Sequence, residues 1–102
     1  MGDEHINKNQ YQKKIEQCKQ EILLNPNDAN KYNEMGVAYT NLKEYKKAIP
    51  VFLKAITIDS EHKAVLYNLA NAHYELKQYR KAIPLCQKLV EIEPEHADAF
   101  FE

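Results

Sequence analysis

The sequence predicts an all-α chain, a solenoid of antiparallel helix pairs, on three observations. First, the 102 residues match themselves without a gap when shifted by 34. Second, apolar and small residues inside each period recur at i, i+3, i+4 and i+7, the spacing of one helix face. Third, the breaks between periods carry Asn, Asp, Ser and Pro, which start and stop helices. A fixed period of this length means stacked supersecondary units, each too small to bury its own face.

Residues 1–8 read as a polar leader, expected to be disordered. Residues 9–26 read as an N-terminal capping helix, in which Tyr11, Ile15, Cys18, Ile22 and Leu24 keep the repeat frame. Lys14 and Glu21 stand where the full repeats have small or apolar residues, which fits a polar face with no helix upstream. The first full repeat is 29–62 and the second 63–96. They share Ala38/Ala72, Leu42/Leu76, Tyr45/Tyr79, Ala48/Ala82, Ile49/Ile83, Pro50/Pro84 and Ile58/Ile92, among others. In the first, Tyr32, Met35, Gly36 and Tyr39 form one face. After Leu42-Lys43-Glu44, Tyr45, Ala48, Ile49, Phe52, Ala55 and Ile56 form a second. The next repeat does the same with Leu66, Leu69, Ala70 and His73, then Tyr79, Ala82, Ile83, Cys86, Leu89 and Val90. Short connections force antiparallel packing within each pair. Residues 97–102 start a truncated third repeat, from which a longer parent protein is expected.

Pro50 and Pro84 fall inside the second helix of each pair, where a proline costs ~3 kcal/mol. A mild bend on a solvent-facing side is the expected accommodation.

The search for chemistry returns little. His73 occupies a packing slot and reads as a core histidine. His62 and His96 are turn residues, and His5 lies in the leader. His73-Tyr74-Glu75 echoes the H-x-E of zinc deaminases, but the P-C-x-x-C partner motif is absent. Two glycines allow no phosphate loop, and Ser60, the only serine, sits in a turn without a base. The reading is therefore not an enzyme, with no cofactor and no metal. Cys18 and Cys86 lie at helical apolar positions and read as small buried hydrophobes. With no secretory signal, they point to a reducing, cytoplasmic setting. Formal charge is −1, with 14 Lys+Arg against 15 Asp+Glu. This gives no case for nucleic acid or an anionic membrane. Charge is nevertheless segregated. Lys43, Lys46, Lys47, Lys77, Arg80 and Lys81 lie at turns within pairs. Asp59, Glu61, Glu91, Glu93, Glu95 and Asp98 lie at or near turns between pairs.

The frame resembles the tetratricopeptide repeat family, whose pattern runs aromatic, Leu-Gly, Tyr, Ala, Phe, Ala, Pro. The first repeat supplies Tyr32, Met35-Gly36, Tyr39, Ala48, Phe52 and Ala55, with Ser60 in the proline slot. The second supplies Leu66, Leu69-Ala70, His73, Ala82, Cys86, Leu89 and Pro94. The resemblance implies a fragment of a right-handed superhelix. It also implies a protein-interaction scaffold that receives a peptide or partner segment in the concave groove of the first helices. By that resemblance the groove residues are Asn33, Val37, Thr40, Asn41, Tyr67, Asn68, Asn71, Tyr74 and Glu75. Asparagine amides can donate and accept at once, and tyrosines add apolar area with a polar tip. Some family members clamp a C-terminal carboxylate with Lys, Asn and Arg. Here only Asn68 matches; Asn33, Val37, Asp98 and Glu102 fill the other slots, which argues against a clamp. The alternatives are self-association of copies through the open C-terminal end at Phe100 and Phe101, or an accessory domain of an enzyme whose catalytic part lies elsewhere.

Overall fold

A computed structural model describes residues 2–93, with side chains from Lys8 onward. The expected third-repeat start at 97–102 lies outside the described residues, as do Pro94, Glu95 and His96; His5 lies outside the described side chains. Five helices follow one another: α1 (Gly2–Leu24), α2 (Ala29–Asn41), α3 (Tyr45–Ile58), α4 (Lys63–Glu75) and α5 (Tyr79–Ile92). Each packs on the next, and α2 also touches α4. That last contact is the mark of a stack in which the first helices of successive pairs lie side by side.

The boundaries have local causes. Asp28 caps α2, its side chain accepting from the Asn30 N–H at 3.0 Å. At the next break, Asp59 accepts from the Glu61 N–H at 3.2 Å, and His62 caps α4 through Nδ1, accepting from the Val65 N–H at 3.3 Å. That leaves Nε2 to donate to Asn30 Oδ1, 2.7 Å away, tying the starts of α2 and α4 together. α2 and α4 end alike. The Lys43 N–H donates to Thr40 O and the Glu44 N–H to Tyr39 O. Lys77 and Gln78 repeat this with Tyr74 and His73. This is the Schellman pattern, and it places Lys43 and Lys77 in the left-handed region, at φ 60° and 61°.

α1 starts earlier than the sequence implied. The segment read as a leader is helical from Gly2. No proline or glycine interrupts residues 3–24.

The interior follows the period. Ala48, Phe52, Ala55, Val65, Leu69 and Ala72 form one buried cluster, and Ile15, Cys18, Met35 and Ala38 another. Pro50 and Pro84 are exposed, so the hydrogen bond each removes is lost on the solvent side. His73 is buried, with Nδ1 2.8 Å from Gln78 Oε1, a satisfied core histidine. Cys18 and Cys86 are free.

Candidate functional site

The face shared by α2 and α4 is organised by one cross-helix bond. Asn68 Nδ2 donates to Asn33 Oδ1 at 3.0 Å. Around it, Asn41, Asn71 and Glu75 are exposed, Val37 is half-buried, and the rings of Tyr67 and Tyr74 are 53% and 58% exposed. Tyr74 meets Tyr79 edge-on across the α4–α5 turn, with ring centroids 5.4 Å apart. Thr40 differs from its neighbours: its hydroxyl donates to Val37 O at 2.7 Å, within its own helix. The nine groove residues read from the sequence thus lie on α2 and α4. Two of the amides are partly committed to each other, and Thr40 is committed to the backbone.

The same face runs on to α1. Gln10, Tyr11 and Lys14 of α1 join Asn33, Glu34, Val37, Ala38 and Asn41 of α2 in lining a cavity of about 400 Å³. The α1 contribution was not read from the sequence. The signal available for it was the repeat register, which aligns α1 with the second helices α3 and α5.

Lys14 and Glu21, expected on a polar face with no helix upstream, reach across to α2. Lys14 Nζ lies 2.7 Å from Glu34, and Lys31 Nζ lies 3.2 Å from Glu21 and 3.3 Å from Glu34. Among the described residues α2 is the only helix that α1 packs against, and these long side chains bridge the two. The hydrogen bond from Lys14 holds the Glu34 carboxyl below the usual carboxylate range. In turn Glu34 raises the Lys14 ammonium, and Glu21 with Glu34 raises that of Lys31. Beneath this network Cys18 is fully buried, and burial pushes its thiol up, as it does for Cys86. Neither sulfur is a ready nucleophile.

The turns within pairs are basic. Lys43, Lys46, Lys47, Lys77, Arg80 and Lys81 are exposed, and Leu76 shares one depression with Lys43–Lys47, so the two turns adjoin. The acidic edge is partly spent: Glu93 pairs with Lys63 at 2.5 Å, and Asp59 turns its carboxylate onto its own loop. Among the described residues no group of three His, Cys, Asp or Glu could hold a metal ion, and no helix is long and apolar enough to cross a membrane.

A family model for the tetratricopeptide repeat matches residues 40–100. The chain belongs to the tetratricopeptide repeat family. Its fold is similar to that of a crystal structure of MamA, with a TM-score of 0.75 and 26% identity over 78% of this chain and 47% of that one. A structure described as MamA MSR-1 C2 matches with a TM-score of 0.78 and 21% identity, over 92% of this chain and 53% of that one. MamA RS-1 ArsTM double mutant matches with a TM-score of 0.80 and 24% identity, over 95% and 60%. The chain therefore spans about half the length of the MamA chains it matches. No curated protein matches it in sequence. The fold is that of a non-catalytic protein-interaction scaffold, for which protein partners or self-association are the functions at issue.

Proposed function

We propose that the chain holds a segment of another protein, in extended form, along the exposed face of α2 and α4. The Asn33–Asn68 bond carries this reading, because it joins the two helices into one surface of amides and tyrosines. Asn71 and Asn41 stand free in solvent on that surface, able to pair with a peptide backbone, and Tyr67 offers an exposed ring as an anchor. The near-zero net charge favours a protein partner over nucleic acid or a membrane. Two free thiols, Cys18 buried and Cys86 half-buried, suit a reducing compartment such as the cytoplasm.

The test is affinity capture from the source cell with wild-type and Tyr67→Ala/Asn71→Ala chains of matched melting temperature. The variant is expected to lose its partner: Asn71→Ala removes about 1 kcal/mol of pairing, and Tyr67→Ala somewhat more. Retention of every partner would move the binding surface elsewhere.

A further inference from the structure

The cavity between α1 and α2 has a counterpart one repeat further on, and the counterpart is filled. Adding 34 turns Lys14 into Ala48, Ala38 into Ala72 and Glu34 into Asn68. There α2 occupies the space: Val37 and Tyr39 pack on the cluster holding Ala48 and Ala72, and Asn33 bonds Asn68. The course of α1 leaves the first place open. Lys8-Asn9-Gln10 stands in the slot of the turn Leu42-Lys43-Glu44, yet α1 runs straight through it as helix to Gly2.

We propose that this berth docks an amphipathic helix of a partner protein, lying against α1 as α2 lies against α3. It is a second site beside the α2–α4 face, sharing Asn33, Val37 and Asn41 with it. The differences between the two places define the occupant. Phe52 presses on Gly36, but the smaller Cys18, already fully buried, takes its slot in α1, so a small residue such as alanine suits the occupant there and glycine is not required. The second repeat has the same residue types in register, Ala70 in the slot of Gly36 and Cys86 in that of Phe52. Lys14 replaces Ala48 and pairs with Glu34, so the wall, apolar over most of its surface, gains no net charge from the exchange and takes an amphipathic helix by its apolar side. Glu34 replaces Asn68 and only accepts, so the occupant presents a donor there, a hydroxyl, amide or ammonium. The sequence of α4 meets all three conditions. Leu66 and Leu69 are apolar, Ala70 is small, and the Tyr67 hydroxyl stands in the slot of Asn33.

The probe is therefore a synthetic peptide of residues 63–76 with blocked ends, titrated into the isotope-labelled full chain and followed by NMR. The expected result is saturable shifts at amides 10–14 and 33–41, with a gain of helical circular dichroism by the peptide. Val37→Glu, which sets a second carboxylate beside Glu34, should weaken binding about tenfold or more. Tyr67→Ala/Asn71→Ala should leave it within about twofold, which separates this site from the proposed peptide face. No shift at about 1 mM peptide, shifts confined to 67–75, or equal binding of a scrambled peptide would overturn the proposal. So would dilution of the chain alone shifting residues 10–14 and 33–41, since a second copy would then fill the berth.

Discussion

A Cβ placed on Gly36 would sit 2.3 Å from the ring of Phe52, which is fully buried. The first repeat is closed by that contact, a glycine making room for a ring. The second repeat has Ala70 and Cys86 in those two slots, a larger residue in one and a smaller one in the other. Gly36→Ala should therefore destabilise the chain by about 1–3 kcal/mol through overpacking. In a Phe52→Cys background that penalty should largely vanish, because the pair then copies the second repeat. Urea unfolding of the four chains of the cycle measures the coupling. A Gly36→Ala cost that is the same in both backgrounds would put the strain elsewhere. Ala48, without any exposure, is the companion case on the facing helix. Ala48→Leu should cost about 1–3 kcal/mol, read from the same unfolding curves.

At the scale of the helices, two features decide how the ends hold. Lys43 and Lys77 close α2 and α4 in the left-handed region, where a Cβ is strained. Glycine at either position should raise stability by about 0.5–1 kcal/mol, seen as a higher melting temperature, because the strain it relieves exceeds its cost in chain entropy. The second feature is the ionic contact of α1 with α2. The Glu34 carboxyl is depressed in the folded chain. Its contribution is therefore present above the ordinary glutamate value of about 4.3 and is lost as pH falls through the lower folded value. Lys14 and Lys31 are raised, so theirs is present below the ordinary lysine value and is lost as pH rises through the folded one. Protection of the α1 amides, taken relative to their intrinsic exchange rates at each pH, should fall at both extremes and at high salt. Glu34→Gln should make α1 exchange faster at neutral pH and remove most of the response to acid.

The whole molecule is a stack, 36 × 36 × 22 Å, in which each helix leans on its neighbours along the chain. Its architecture was legible in the sequence because packing residues recur with the period. Tyr32, Ala48 and Phe52 announce a frame that Leu66, Ala82 and Cys86 repeat. Long-range polar contacts follow no such rule. Lys14 and Glu34 are twenty residues apart with no local pattern joining them, so the polar face read from Lys14 and Glu21 gave no sign of their ionic contacts with α2. His62 as a helix cap and Lys43 as a left-handed residue were equally hidden, since neither residue type favours its role and the geometry of the turn imposes it. The groove amides were readable as positions on a face. That Asn33 and Asn68 bind each other, and that Thr40 serves its own backbone, depends on side-chain conformations the period does not encode.

The central claim is that partners are held by the amide-and-tyrosine face of α2 and α4. The exposed cations at the adjoining turns Lys43–Lys47 and Lys77–Lys81 form the rival surface. Salt separates the two, since attraction between exposed charges is largely screened at ordinary ionic strength and hydrogen bonds and ring contacts are not. The decisive measurement is the affinity for a captured partner segment at low and at high salt. The account predicts a change of less than about threefold between 50 and 300 mM salt, and a loss of more than about tenfold would contradict it and assign binding to the basic edge.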